Sequence, residues 1–199
     1  MMSALANHSR CAHPMPDILQ HLQTRNSAPR LTAPGPSGEQ LDELLQAALR
    51  APDHAWLRPW RFNAIEGERR EDFGEVLERC LLRRDPAADA SVRERARAAP
   101  LRAPLLLAVV ACLQEHPKVP FYEQRLSAGC AAHAILLAAE ALGYAGIWRT
   151  GDAAFDPLVG AALGLERDEE VVAFLYLGTR DGNPKNVPAL QPADFLSRW

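Results

Sequence analysis

Lysine is almost missing from this chain of 199 residues: Lys118 and Lys185 are the only two, and every other basic side chain is an arginine. The 22 basic residues are outnumbered by 25 acidic ones, for a net charge of -3 and a pI near 6.1. No basic field is available to recruit nucleic acid or an anionic membrane. Cysteine is scarce too, and Cys11, Cys80, Cys112 and Cys130 form no CxxC pair, so zinc ribbons and thioredoxin-type redox sites are excluded and a reducing cytoplasm is expected. There is no GxxxxGK[ST], no GxGxxG after a strand, no GxSxG and no HExxH. A bound phosphate would therefore have to be held by arginines and hydroxyls, without a glycine cradle. The N-terminal "MMSALANHSRCAHPMPD" lacks the basic-then-apolar layout of a signal peptide. The longest apolar run, "SAGCAAHAILLAAEALG", carries His133 and Glu140 and falls short of the roughly 20 residues that span a bilayer.

What is present is an ordinary globular composition, 48% hydrophobic and 24% charged, which predicts a single domain. Residues 1–14 read as a disordered extension; its His8, Cys11 and His13 are taken as tail, and no metal centre is expected. The domain occupies 15–199. A short amphipathic stretch runs to Thr24. In "PSGEQLDELLQAALRA", Ser37 and Gln40 read as a capping box ahead of a helix whose apolar face carries Leu41, Leu44, Leu45, Ala48 and Leu49. Pro52 and Pro59 stop that helix, and "WRFNAIEG" reads as a strand. Helices are expected at about 67–82 and 88–98. "APLLLAVVACL" has the character of a central strand covered on both faces. A long helix over 121–142, apolar all round at its middle, a short strand in "GYAGIWRTGD", a short helix in "FDPLVGAALGL" and a last central strand in "EVVAFLYLG" complete the series. The tail after it has three prolines, yet ends in Phe195, Leu196 and Trp199, and reads either as an arm docking on a partner or as a loose terminus.

Three stretches concentrate anion-binding chemistry. Arg25, Asn26 and Ser27 put a guanidinium, an amide and a hydroxyl on one turn, as a phosphate or polyol requires and as solvated loops also do. Trp148, Arg149 and Thr150 follow Gly146 and precede Gly151, where glycines suit close backbone approach or a plain turn. "RAPDHAWLRPWRF" places Arg50 at a helix end and His54 one turn on, with Trp56 and Trp60 expected to pack at the joint. Cys130 and His133 share a helix face, but an apolar helix interior would hide the thiol from substrate. No nucleophile, acid or base constellation emerges.

Taken together, "RNSAPRL", "LLQAALRAPDHAWLRPWRFNAIEGE", "AAPLRAPLLLAVVA", "HPKVPFYEQRLSAGCAAHAILLAAEALGYAGIWRTGD" and "VVAFLYLGT" resemble the FMN-dependent nitroreductase superfamily, in particular its small YdjA-type branch, over roughly Leu22 to Pro188. The resemblance implies an α+β sandwich with a mainly antiparallel central sheet flanked by helices. It also implies an intertwined homodimer that binds FMN without a covalent bond near the subunit interface. By position it assigns the cofactor to Arg25, Asn26, Ser27, Arg50, His54, Trp148, Arg149 and Thr150, with Asn26 standing where the family has an arginine. The implied activity is ping-pong transfer of two electrons from NADH or NADPH through FMN to a nitroaromatic, quinone or similar small acceptor. The alternative is a module that binds and presents flavin without turnover. Flavin chemistry at N5 would account for the missing catalytic constellation. Arg149 and Arg25 are the expected phosphate counter-charges, and Arg102, on the approach to the second strand, is expected to stand apart from them.

Overall fold

The computed structural model describes residues 18–199, so the expected extension over 1–14 and its His8, Cys11 and His13 lie outside the described residues. Apolar alternation and turn chemistry produce five strands: β1 (Leu31–Thr32), β2 (Trp60–Glu66), β3 (Leu105–Cys112), β4 (Ala145–Arg149) and β5 (Glu169–Arg180). All pairings are antiparallel, in the order β1-β5-β3-β2, with β4 also on β5. The two long central strands are β3 and β5, as their unbroken aliphatic runs require. β1 has too few residues for a hydrophobic period; it exists because β5 runs on to Thr179 and Arg180, which pair with Thr32 and Leu31.

Among the described residues six helices surround the sheet: α1 (Ile18–Thr24), α2 (Glu39–Ala48), α3 (Arg69–Arg84), α4 (Ala90–Arg97), α5 (Phe121–Ala141) and α6 (Pro157–Ala162). The capping box expected at Ser37 does not form. Gly38 takes the cap position with φ 53°, no side chain caps the helix, and Ser37 offers only its backbone carbonyl to Gln40 N–H, at 3.1 Å. The Gln40 side chain instead accepts from the Tyr144 hydroxyl at 2.8 Å, which ties α2 to the start of β4. Asp156 caps α6 by accepting from Leu158 N–H at 2.9 Å.

The strands' two-residue period divides the core. On one face Leu105, Leu107, Val109, Leu175 and Leu177 pack against Leu44 and Ala48 of α2 and the small residues Ala128, Ala131, Ala132 and Ala139 of α5. Those alanines let α5 approach closely, and so does Gly146, where a Cβ would lie 2.7 Å from Leu136 Cδ2 and 2.8 Å from Leu177 Cδ2. On the other face Leu106, Ala108, Phe174 and Tyr176 meet Phe73 and Cys80 of α3 and Val159 of α6. Within the single chain one stripe of α5 is left uncovered: Tyr122 and Leu126 are exposed, as are Cys130 and His133, at spacings of three and four. No described helix is long and apolar enough to cross a membrane.

Candidate functional site

Between α2 and β2 the chain makes the turn that the two prolines demand, and it does so under strain. Ala55, Trp56 and Arg58 all have positive φ, at 62°, 58° and 49°. Each such non-glycine residue costs on the order of 1 kcal/mol and persists only where neighbours over-determine it. Here Asp53 Oδ2 accepts from Arg58 N–H at 2.8 Å, and Gln114 Nε2 donates to Leu57 O at 3.1 Å. Gln114 is in turn held by the fully buried Gln124, which accepts from its N–H at 2.9 Å and donates to its carbonyl at 2.8 Å. His54 Nδ1 lies 2.9 Å from Glu123 Oε2 on α5.

The strained turn separates the two tryptophans, against expectation. Trp60 is buried in the core beside Leu44 and Ala48, but Trp56 is 79% exposed, with the Arg58 guanidinium 6.0 Å from its ring centroid. The left-handed backbone at Ala55 and Trp56 turns the indole outward, and no sequence pattern encodes that. Arg50, Asp53, Trp56, Arg58 and Trp60 line a hollow of about 400 Å³ here.

The Arg25-Asn26-Ser27 turn lies half-buried against β4: Ala28 N–H donates to Gly146 O at 3.0 Å, and Arg180 Nη2 donates to Asn26 O at 3.1 Å. Asn26 Nδ2 donates to Thr24 O at 3.2 Å, whereas its Oδ1 is buried with no hydrogen-bond partner. An orphaned buried acceptor costs about 1–3 kcal/mol unless a donor is supplied.

Along β4 the side chains alternate. Trp148 turns toward α5, where its Cη2 would lie 3.8 Å from a Cβ on Gly129. Arg149 turns to the opposite face and stacks over Tyr176, with its guanidinium carbon 5.8 Å from the ring centroid. Arg149, Thr150 and Gly151 border a second cavity of about 400 Å³, with Phe73, Phe174 and Tyr176 among its walls. Gly151 turns the chain there with φ 76°. Arg102, expected to stand apart, borders the same cavity. The convergence was hidden because Arg102 and Arg149 reach it from different elements; the one available signal was a tyrosine in the aliphatic run "EVVAFLYLG". The hollow at Arg50 and the cavity at Arg149 share no lining residue and lie beside the cores of opposite sheet faces.

The thiols offer no competing site. Burial, and then a hydrogen bond to Glu169 at 3.2 Å, push the Cys112 thiol up to about 12; Cys80 is raised by burial and by Asp156. Cys130 is exposed, which corrects the expected concealment, but no hydrogen bond joins it to His133 among the described residues. The described residues contain no group of three or more His, Cys, Asp or Glu side chains placed to hold a metal ion.

The residues fit an anionic, polyhydroxylated cofactor such as FMN in two respects. Asn26 Oδ1 is an acceptor awaiting an O–H or N–H donor, which a ribityl chain or a flavin imide carries. Arg50 and Arg149 have no carboxylate within ion-pair distance among the described residues, and so are free to meet a phosphate or a carbonyl edge.

The family model described as "Nitroreductase family" matches residues 22–179. The Escherichia coli (strain K12) protein named "Putative NAD(P)H nitroreductase YdjA" is 48% identical over 184 residues, covering 91% of this chain and 98% of that relative. Among solved structures, a nitroreductase-like family protein from Bacillus cereus superposes with a TM-score of 0.78 at 21% identity, over 92% of this chain and 96% of that one. A Bacteroides fragilis nitroreductase with bound FMN gives 0.69 at 23% identity, over 91% and 97% of the two chains.

Proposed function

The chain belongs to the nitroreductase family, and we propose that it is a flavin-dependent oxidoreductase moving two electrons from NADH or NADPH to a nitroaromatic, quinone or similar small acceptor by a ping-pong route. The observation that carries this reading is the pairing of unpartnered guanidiniums and an orphaned acceptor with the lack of any acid, base or nucleophile constellation. FMN, when bound, supplies the two-electron chemistry at its N5. The protein's part is to bind and orient it.

In this reading Arg25 and Arg149 neutralise the phosphate, with Ser27 and Thr150 adding hydroxyl donors. Asn26 accepts where the family pattern has a cationic donor, so it contributes a dipole in place of a full charge and changes the electrostatic bias on the flavin. Arg50 and His54 contact its polar edge, with His54 oriented by Glu123 at 2.9 Å. Trp148 provides an aromatic wall on the α5 side.

Arg50 and His54 stand on one side of the sheet and the Arg149 guanidinium on the other, an arrangement that favours a cofactor gripped by loops from two copies of the chain. A homodimer is further supported by the unpartnered apolar surface: the exposed Tyr122 and Leu126 of α5, and a tail whose Phe195, Leu196 and Trp199 are 75%, 60% and 121% exposed. A folded monomer rarely leaves so many large apolar side chains uncovered.

Initial-rate kinetics test the proposal. With NADH or NADPH varied at several fixed concentrations of a quinone, double-reciprocal plots should be parallel. Intersecting lines would refute the ping-pong route, and FMN retention with no turnover would leave a flavin-carrying module.

A further inference from the structure

The strained turn before β2 sits where a longer strand would otherwise run. The register that pairs Trp60 with Ala111 continues one step further, where Cys112 N–H donates to Pro59 O at 3.2 Å. Carried on, the same register sets Leu57 opposite Gln114. The ladder does not reach that pair. Pro59 has no N–H with which to return the bond, and both backbone groups of Gln114 are taken by one side chain, that of Gln124. Its Oε1 accepts from Gln114 N–H at 2.9 Å, and its Nε2 donates to Gln114 O at 2.8 Å and to Val119 O at 3.3 Å.

Gln124 lies in the first turn of α5 and, at 1% exposure, is the most deeply buried polar side chain among the described residues. An amide so placed costs free energy unless it is hydrogen-bonded, and the grip on Gln114 meets that need. The Gln114 side chain then does what its backbone cannot: Nε2 donates to Leu57 O at 3.1 Å, across the gap where the ladder has ended. Beside Gln124, Glu123 Oε2 lies 2.9 Å from His54 Nδ1. Two consecutive residues of α5 thus hold the turn by both flanks, His54 directly and Leu57 through Gln114, while Ala55 and Trp56 between them carry positive φ. Backbone of that kind relaxes when its neighbours release it.

We infer that Gln124 is a positioning residue. By capturing the backbone of Gln114 it ends the β2–β3 ladder, and through the Gln114 amide it fixes the 53–58 turn in the form that presents His54 to the flavin. The inference rests on the reading above in which Arg50 and His54 meet the flavin edge. Gln124 acts there on population alone: apparent affinity falls with the fraction of chains that keep the turn.

Two measurements test this, one without FMN and one with it. In the flavin-free protein, chymotrypsin cleavage after Trp56, followed by mass spectrometry, reads how often the turn opens. In a fluorescence-quenching titration, FMN affinity reads whether that opening matters to binding. Gln114→Met keeps the length and neutrality of the side chain but removes the donor to Leu57. It should be cut faster and bind FMN more weakly, each by about threefold or more, while its unfolding midpoint falls by no more than about 2–4 °C. Gln124→Leu also frees the Gln114 backbone, and both effects should reach about tenfold. Gln114→Lys retains a donor of similar reach and should return the cutting rate toward that of the parent, which a purely steric role for Gln114 would not allow. Glu115→Gln, at the exposed neighbouring residue, should behave as the parent.

Unchanged cutting in Gln114→Met and Gln124→Leu would overturn the inference. Should Gln124→Leu fail to fold, Gln114→Met and Gln114→Lys carry the decision. The two readings fail separately. A parent that takes no FMN, with the variants still cut faster, refutes the flavin reading and leaves the clamp on the turn standing. A parent that binds FMN, with the variants binding it equally well, keeps the flavin reading and refutes the positioning role.

Discussion

The two faces of the sheet are held by different physics. Toward α5 the contact is dry and close: alanines and Gly146 let helix and sheet approach, and Trp60, Leu44 and Ile135 fill the space. Toward α3, α4 and α6 the periphery is charged, with Glu78, Asp156 and Glu169 each gripped by arginines. Glu169 is the clearest case. Arg61 Nε and Nη2 reach its two oxygens at 2.7 and 2.6 Å, and that guanidinium, with the Glu166 N–H, holds its carboxyl down to about 2 despite partial burial. The lesson is that one face is held by close apolar fit and the other by matched charge.

The contrast can be broken most severely from the α5 side. Trp60→Ala should cost about 3–5 kcal/mol in urea-induced unfolding, because it empties a packed site at the α2–β2 joint. Trp56→Ala, four residues earlier, should stay within about 0.5 kcal/mol of the parent, since its indole lies outside the core. Similar losses in both would contradict the division between them.

On the charged side, Glu169→Gln should cost about 2 kcal/mol at neutral pH, the usual worth of hydrogen bonds to a charged group. Its pH dependence has a definite sign. The folded carboxyl titrates near 2 and the unfolded one near 4.5, so the stabilisation is present above about 4.5 and is lost as the pH falls toward 2. Unfolding midpoints of the parent should therefore decline over that window more steeply than those of Glu169→Gln. Parallel curves would mean that the ion pair does not stabilise the fold.

A smaller effect separates binding from stability. Arg50→Ala removes an exposed guanidinium at the end of α2 and should leave the unfolding midpoint nearly unchanged while weakening FMN binding by about tenfold in a fluorescence-quenching titration. Unaltered FMN affinity would remove Arg50 from the site. Smallest of all, Ala55→Gly should stabilise the chain by about 0.5–1 kcal/mol in the same urea experiment, because glycine adopts φ 62° without strain. A loss of stability would mean that the turn is not strained.

Much of this architecture could be read before any coordinates. The 3.6-residue period located α2, the long apolar run over 121–142 located α5, uninterrupted aliphatic runs located β3 and β5, and the prolines at 52 and 59 located the turn before β2. What escaped was non-local or conformational. β1 is two residues long and owes its existence to the far end of β5. Trp56 is exposed because of backbone angles that its side-chain type does not disclose. Arg102 and Arg149 meet only because a 3-10 turn and a strand 47 residues apart converge over Tyr176. The stretches containing Arg25, Arg50 and Arg149 were visible as chemistry, but their division between two faces of the sheet was not, because a linear sequence carries no record of which face a loop returns to.

The central claim is that this chain binds a flavin and leaves the redox chemistry to it. The most direct measurement is an anaerobic spectral titration of the purified protein, first with FMN and then with NADH or NADPH. The account predicts one FMN per chain, with its visible absorption band bleached by the nicotinamide donor. A colourless protein that neither quenches added FMN nor supports its bleaching would contradict it.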